Sequence, residues 1–143
     1  MRNTTTALFL AVLGLAACDL GSDLEFVPSA LEHPFVLQTV NGAALPAVVV
    51  DSAIPSLRLD ALSGVITIKA NNIFTYVTIF RQTQGALVST QTVTCTGTYT
   101  AVGLVFEFVE TAPSPACNLT FTGIVSGTTL NTSVLGVPAV FSQ

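Results

Sequence analysis

A chain of 143 residues usually makes one domain, so multi-domain readings can be set aside. Four basic against eight acidic side chains give a net charge of -4, and Arg58, Lys69 and Arg81 are scattered, without the basic stripe that neutralises phosphates, so no nucleic-acid partner is expected. Half the residues are hydrophobic and 8% charged, yet the only long apolar run, Ala7 to Ala17, falls short of the roughly 20 residues a spanning helix needs.

Met1-Arg2 supplies a positive start, Ala7 to Ala17 an apolar core, and small residues follow, the layout of a secretory signal peptide. The stretch Leu15-Ala16-Ala17-Cys18 resembles the lipobox of bacterial lipoproteins, in which a leucine and two small residues precede a cysteine. That resemblance covers this segment alone. It implies that residues 1–17 are removed, that the Cys18 thiol receives a diacylglyceryl group and that the freed amine is acylated. Two or three acyl chains hold a protein far more firmly than one. The domain is then expected in the bacterial cell envelope, outside the cytoplasm, with a membrane as its partner through the lipid. Asp19 resembles the inner-membrane retention signal of enteric bacteria, a rule that other phyla do not reliably obey, so inner and outer membrane both stay open. The alternative is ordinary signal cleavage after Ala16, which leaves a free periplasmic protein.

Residues 18–33 read as a lipid-anchored flexible tether, polar or mixed, with Gly21, Ser22, Pro28 and the acids Asp19, Asp23, Glu25 and Glu32. The folded domain is expected over 34–143, and no segment in it has helical periodicity with start and stop signals. Phe35 to Val40 and Leu45 to Asp51 pair around Asn41-Gly42. Val65 to Ala70 and Ile73 to Arg81 pair around Asn71-Asn72, which tolerates the positive φ of a two-residue hairpin turn. From Leu87 to Ala101, threonines at 90, 92, 94, 96, 98 and 100 occupy every second position, so they share a solvated face opposite Val93, Cys95 and Tyr99. Val102-Gly103 turns the chain into Leu104 to Val109, where Phe106 and Phe108 alternate with Glu107. Asn118 to Val125 follows, and Ser126-Gly127 leads to Thr128 to Leu135.

These make about eight strands joined by short turns, an all-β antiparallel up-and-down meander closing into a small barrel. Closure removes the edges that such apolar strands could not safely expose. Three segments carry a further resemblance: Phe35-Val36-Leu37-Gln38-Thr39-Val40-Asn41-Gly42, Gly97-Thr98-Tyr99-Thr100, and Phe121-Thr122-Gly123-Ile124-Val125-Ser126-Gly127 with Leu130. Together they look like small lipocalin-like bacterial lipoproteins. Phe35 stands where many such relatives have tryptophan. The resemblance implies a lipocalin-like barrel; the alternative fold is a two-layer β-sandwich.

With Cys18 assigned to lipid, Cys95 and Cys117 remain as an even pair in an oxidising compartment, and a disulfide is expected. If Cys117 began a strand two along from Cys95, the pair would sit roughly 9–10 Å apart, beyond the usual Cα separation of about 4.4–6.8 Å. The bridge therefore requires Cys117 to belong to the preceding loop, for which Ala112-Pro113-Ser114-Pro115-Ala116 is suited.

Catalytic chemistry finds no support. The single histidine, His33, stands before Pro34 at the end of the tether, so a nucleophile-base pair cannot be built on it. One histidine and two oxidised cysteines furnish no usual transition-metal set, and no cofactor is expected. Glu107 and Glu110, three apart on a strand, face opposite sides. Asp51 and Asp60 are expected at strand ends as solvated acids. We expect a non-enzymatic protein that binds a lipid or other apolar small molecule inside the barrel, with Phe74, Tyr76, Tyr99, Phe106, Phe108 and Phe121 as candidate lining. Against this, each of these rings can equally fill a packed barrel. The alternative is an envelope interaction or structural protein that meets a protein partner through its loops or threonine face. A cavity of about 300 Å³ or more with apolar walls would favour binding.

Overall fold

The computed structural model describes residues 32–53, 56–112, 117 and 119–143. The signal segment, Cys18 and most of the tether lie outside them. The described chain forms strands only: β1 (Phe35–Val40), β2 (Ala43–Ala44), β3 (Ala47–Ala53), β4 (Ser56–Ile68), β5 (Ile73–Gln84), β6 (Leu87–Val102), β7 (Val105–Ala112), β8 (Thr120–Ser126), β9 (Thr129–Val134) and β10 (Val137–Ser142). Each pairs antiparallel with its neighbour in the order β2-β1-β10-β9-β8-β7-β6-β5-β4-β3, and an extra β1–β4 pairing closes the ring. That closure rests on Phe35 opposite Ile66 and Val36 opposite Val65. The result is an eight-stranded barrel of β1 and β4 to β10, which excludes the two-layer sandwich. β2 and β3 are additions: after the cis Leu45–Pro46 peptide, β3 lies along β4 where β1 has ended.

Most strands are where period-two alternation put them, but several boundaries moved, and the expected pairing of Phe35 to Val40 with Leu45 to Asp51 does not form: across Asn41-Gly42 only the two-residue β2 pairs with β1, and β3 pairs with β4 instead. β10 lies beyond the last strand expected from sequence, which ends at Leu135. Leu135-Gly136 is a two-residue turn with φ of 49° and 81°, and asparagine or glycine normally marks such a turn. β4 runs 13 residues rather than beginning at Val65, because a bulge between Ala61 and Ser63 interrupts its alternation. The expected two-residue turn at Asn71-Asn72 is instead a longer loop over 69–72, with the Lys69 amide donating to the Ile73 carbonyl at 2.9 Å. Val102 pairs with Val105, so that hairpin turns on Gly103-Leu104, one residue later than expected. Ser126 pairs with Thr129, which shifts the next turn to Gly127-Thr128 in the same way. Ala112, read as loop, pairs with Thr96.

The interior is mainly apolar, while the exterior mixes threonines with exposed Val36, Val105, Val109 and Ile124. On β6 the threonines at 92 to 100 are exposed while Cys95, Gly97 and Tyr99 are buried. Phe35, Ile66, Ile68, Phe74, Phe106, Phe108, Leu130 and Phe141 are almost completely enclosed.

The two ends differ. Loop 69–72 and the Gly103-Leu104 and Gly127-Thr128 turns share one end, where the chain also enters, with the Glu32 amide donating to the Ile68 carbonyl at 2.8 Å. Aromatic rings fill that end: Phe74 and Phe108 meet edge to face at 5.0 Å, and Tyr99 packs 5.4 Å from Phe106. Tyr99 Oη donates to the Lys69 carbonyl at 2.8 Å, tying loop 69–72 to the core. At the far end β4, β5 and β6 run on past the reach of β7, whose last pairing is Thr96 with Ala112. One wall therefore stands higher than the other.

Candidate functional site

A cavity of about 320 Å³ opens at the far end. Its tall wall is the inner face of β4 to β6, with Leu59, Tyr76, Phe80, Gln82, Gln91, Val93 and Cys95; the opposite wall carries Glu110, Leu119, Thr120, Phe121 and Ser133, and Leu135-Gly136 forms a lip. The extended strands create the space: their inward residues have no β7 neighbour to pack on.

The Cys95–Cys117 disulfide borders this region, Cys95 being part of its lining. Cys117 lies outside any strand, between β7 and β8, so the Cα atoms stand 5.4 Å apart and the bridge forms as the loop placement requires. Beside it Glu110 is only 6% exposed. Alternation puts Glu110 on the same face as Phe106 and Phe108, and its Oε2 accepts the Leu119 amide at 3.0 Å. Burial pushes its carboxyl above the usual carboxylate range, against which the hydrogen bond from Leu119 acts. Burial likewise pushes the Tyr76 hydroxyl up to about 12, and the nearby Glu110 charge adds to the shift. The neighbouring Thr78 hydroxyl acts the other way. Tyr76 Oη and Thr78 Oγ1 are both buried without a partner.

The six aromatic candidates divide. Phe74, Phe106, Phe108 and Tyr99 belong to the filled end, and only Tyr76 and Phe121 reach the cavity. Phe121 bridges the two regions, stacked on Phe108 at 4.9 Å and tilted against Tyr76 at 6.3 Å. Phe80, Leu59, Val93 and Glu110 join the site without having been singled out from sequence. Glu107 and Glu110 face opposite sides as their spacing predicts, with Glu107 exposed and Glu110 buried. Its parity with Phe106 and Phe108 was the signal that could have placed it inside.

Asp60 corrects the expectation of a solvated acid at a strand end. It sits within β4, 2% exposed, accepting from Arg58 Nε at 2.8 Å and from Arg81 Nε and Nη2 at 3.1 and 2.8 Å. Burial opposes its ionisation, but the two guanidinium groups outweigh that and hold the carboxyl below its ordinary value. The cluster engages both arginines and lies outside the cavity lining. Cys95, Glu110 and Cys117 place potential ligand atoms within 4.8 Å of one another, but both sulfurs are committed to the disulfide, so this is no metal set as it stands. His33 is exposed at the start of the described chain.

No protein-family model matches the chain, and neither the curated proteins nor the solved structures yield a match to it.

Proposed function

We propose that this is a lipid-anchored envelope protein whose lipocalin-like barrel binds an apolar small molecule in the far-end cavity. The carrying observation is that cavity: about 320 Å³, walled mainly by Leu59, Phe80, Val93, Leu119 and Phe121, with a few polar groups among them. Its size falls within the roughly 300–1,000 Å³ of small-molecule sites. Leu135 adds support. A leucine with φ of 49° on a lip, 45% exposed, gives up backbone comfort and burial together, a combination that suits contact with a ligand.

The anchoring half of the proposal rests on Leu15-Ala16-Ala17-Cys18. Metabolic labelling with a fatty-acid probe is expected to mark the wild-type protein and not Cys18→Ala; an unlabelled wild type removes the anchor.

For binding, the mature chain with Cys18→Ser can be titrated with the neutral apolar fluorophore N-phenyl-1-naphthylamine. Saturable one-to-one enhancement, lost when Val93→Trp fills the cavity, is expected. Absence of saturable enhancement, or enhancement indifferent to Val93→Trp, contradicts the reading.

A further inference from the structure

The cavity has an electrostatic sign as well as a size. Among the described residues the basic side chains are Arg58, Lys69 and Arg81, apart from His33 at the entry. Arg58 and Arg81 grip Asp60, Lys69 lies in the loop at the filled end, and none of the three lines the cavity. An anionic ligand such as a fatty acid or a phospholipid headgroup would meet a carboxyl group there and no counter-ion. The one ionisable group of low ordinary pKa in the wall is Glu110, buried to 6% exposure and held at Oε2 by the Leu119 amide.

Resting on the binding reading above, we propose that the cavity selects an apolar molecule carrying a protonated amine, with Glu110 as counter-ion. The physical case is one of preorganisation. A buried ion pair usually gains little because both charges must leave water. Here the fold has already desolvated the carboxylate, so only the ammonium has still to be stripped of water. Glu110 shares the cavity wall with the aromatic rings of Tyr76, Phe80 and Phe121, and an aromatic ring attracts a cation held over its face. A neutral alcohol would fill the same space but leave Glu110 either charged without a partner or protonated.

Calorimetric titration of the mature chain with Cys18→Ser, using octylamine, octan-1-ol and octanoate at neutral pH, separates these chemistries. Octylamine should bind about tenfold more tightly than octan-1-ol, and octanoate most weakly. Glu110→Gln should bring amine and alcohol within about twofold of one another. An alcohol that binds as well as the amine, or a preference unchanged by Glu110→Gln, overturns the proposal while leaving the binding barrel in place. Binding of none of the three removes both. If Glu110→Gln does not fold, the wild-type pH profile decides. The groups facing Glu110 are Tyr76 on β5, protonated throughout, the non-titrating disulfide from β6, and uncharged residues of β8 and β9. The amine preference must therefore fade as pH falls and Glu110 takes up its proton, and a flat ratio contradicts the assignment.

Discussion

Glycine at 97 shows how closely the filled end is built. A Cβ there would meet the Val109 carbonyl and come within 2.7 Å of Phe74 Cε1, and at Gly123 one would come within 2.7 Å of Leu130 Cδ1. The rings can approach the strands only because these positions are bare. Gly97→Ala is expected to destabilise the protein by about 1–3 kcal/mol in urea unfolding, the usual cost of overpacking a filled core. Glu110 carries the opposite kind of strain, a carboxylate that the fold raises above its ordinary pKa. The folded state then takes up a proton before the unfolded one, so this group's contribution is fully present below the unfolded pKa and lost as pH rises through the folded one. Glu110→Gln keeps an oxygen for the Leu119 amide and removes the charge. It should raise the melting temperature at alkaline pH, with the difference from wild type vanishing near the ordinary carboxylate range; an equal difference at all pH values contradicts the burial account. Asp60 has the reverse sign, since its lowered pKa stabilises above the ordinary value of 3.8 and is lost as pH falls further.

Among the elements, β6 was the most legible from sequence, because its threonine row and its buried Cys95, Gly97 and Tyr99 follow a period of two without interruption. β4 was only half legible. Its bulge at Ala61 and Ser63 breaks the alternation, and the same break concealed Asp60, whose cross-strand partner Arg81 lies 21 residues away. β10 escaped because Leu135 takes a conformation that its side chain does not advertise. The cavity could not have been read at all, since it arises from unequal strand lengths on opposite walls rather than from any residue pattern. The Cys95–Cys117 bridge is legible as chemistry and informative as architecture. It spans 22 residues and secures the return segment to β6 at the level where β7 pairing ends. Replacing the pair by serines should cost about 3 kcal/mol in the chain-entropy model. The hydrogen-exchange protection lost should concentrate around β7 and β8 near Cys117, whereas uniform loss would argue against a local fastening.

On the scale of the whole molecule, the barrel divides its labour along its axis. The end where the chain enters is packed with phenylalanines and supplies stability; the far end, with its uneven walls, leaves space. Tyr76, the enclosed Glu110 and the exposed Leu135 surround that one opening, and the proposed binding reading rests on it. The most direct test of the binding account is native mass spectrometry of the mature chain with Cys18→Ser, purified from the periplasm of its own host. The account predicts a reproducible adduct of small-molecule mass that is lost on denaturation and absent from Val93→Trp. A protein of bare polypeptide mass, in wild type and variant alike, would contradict it.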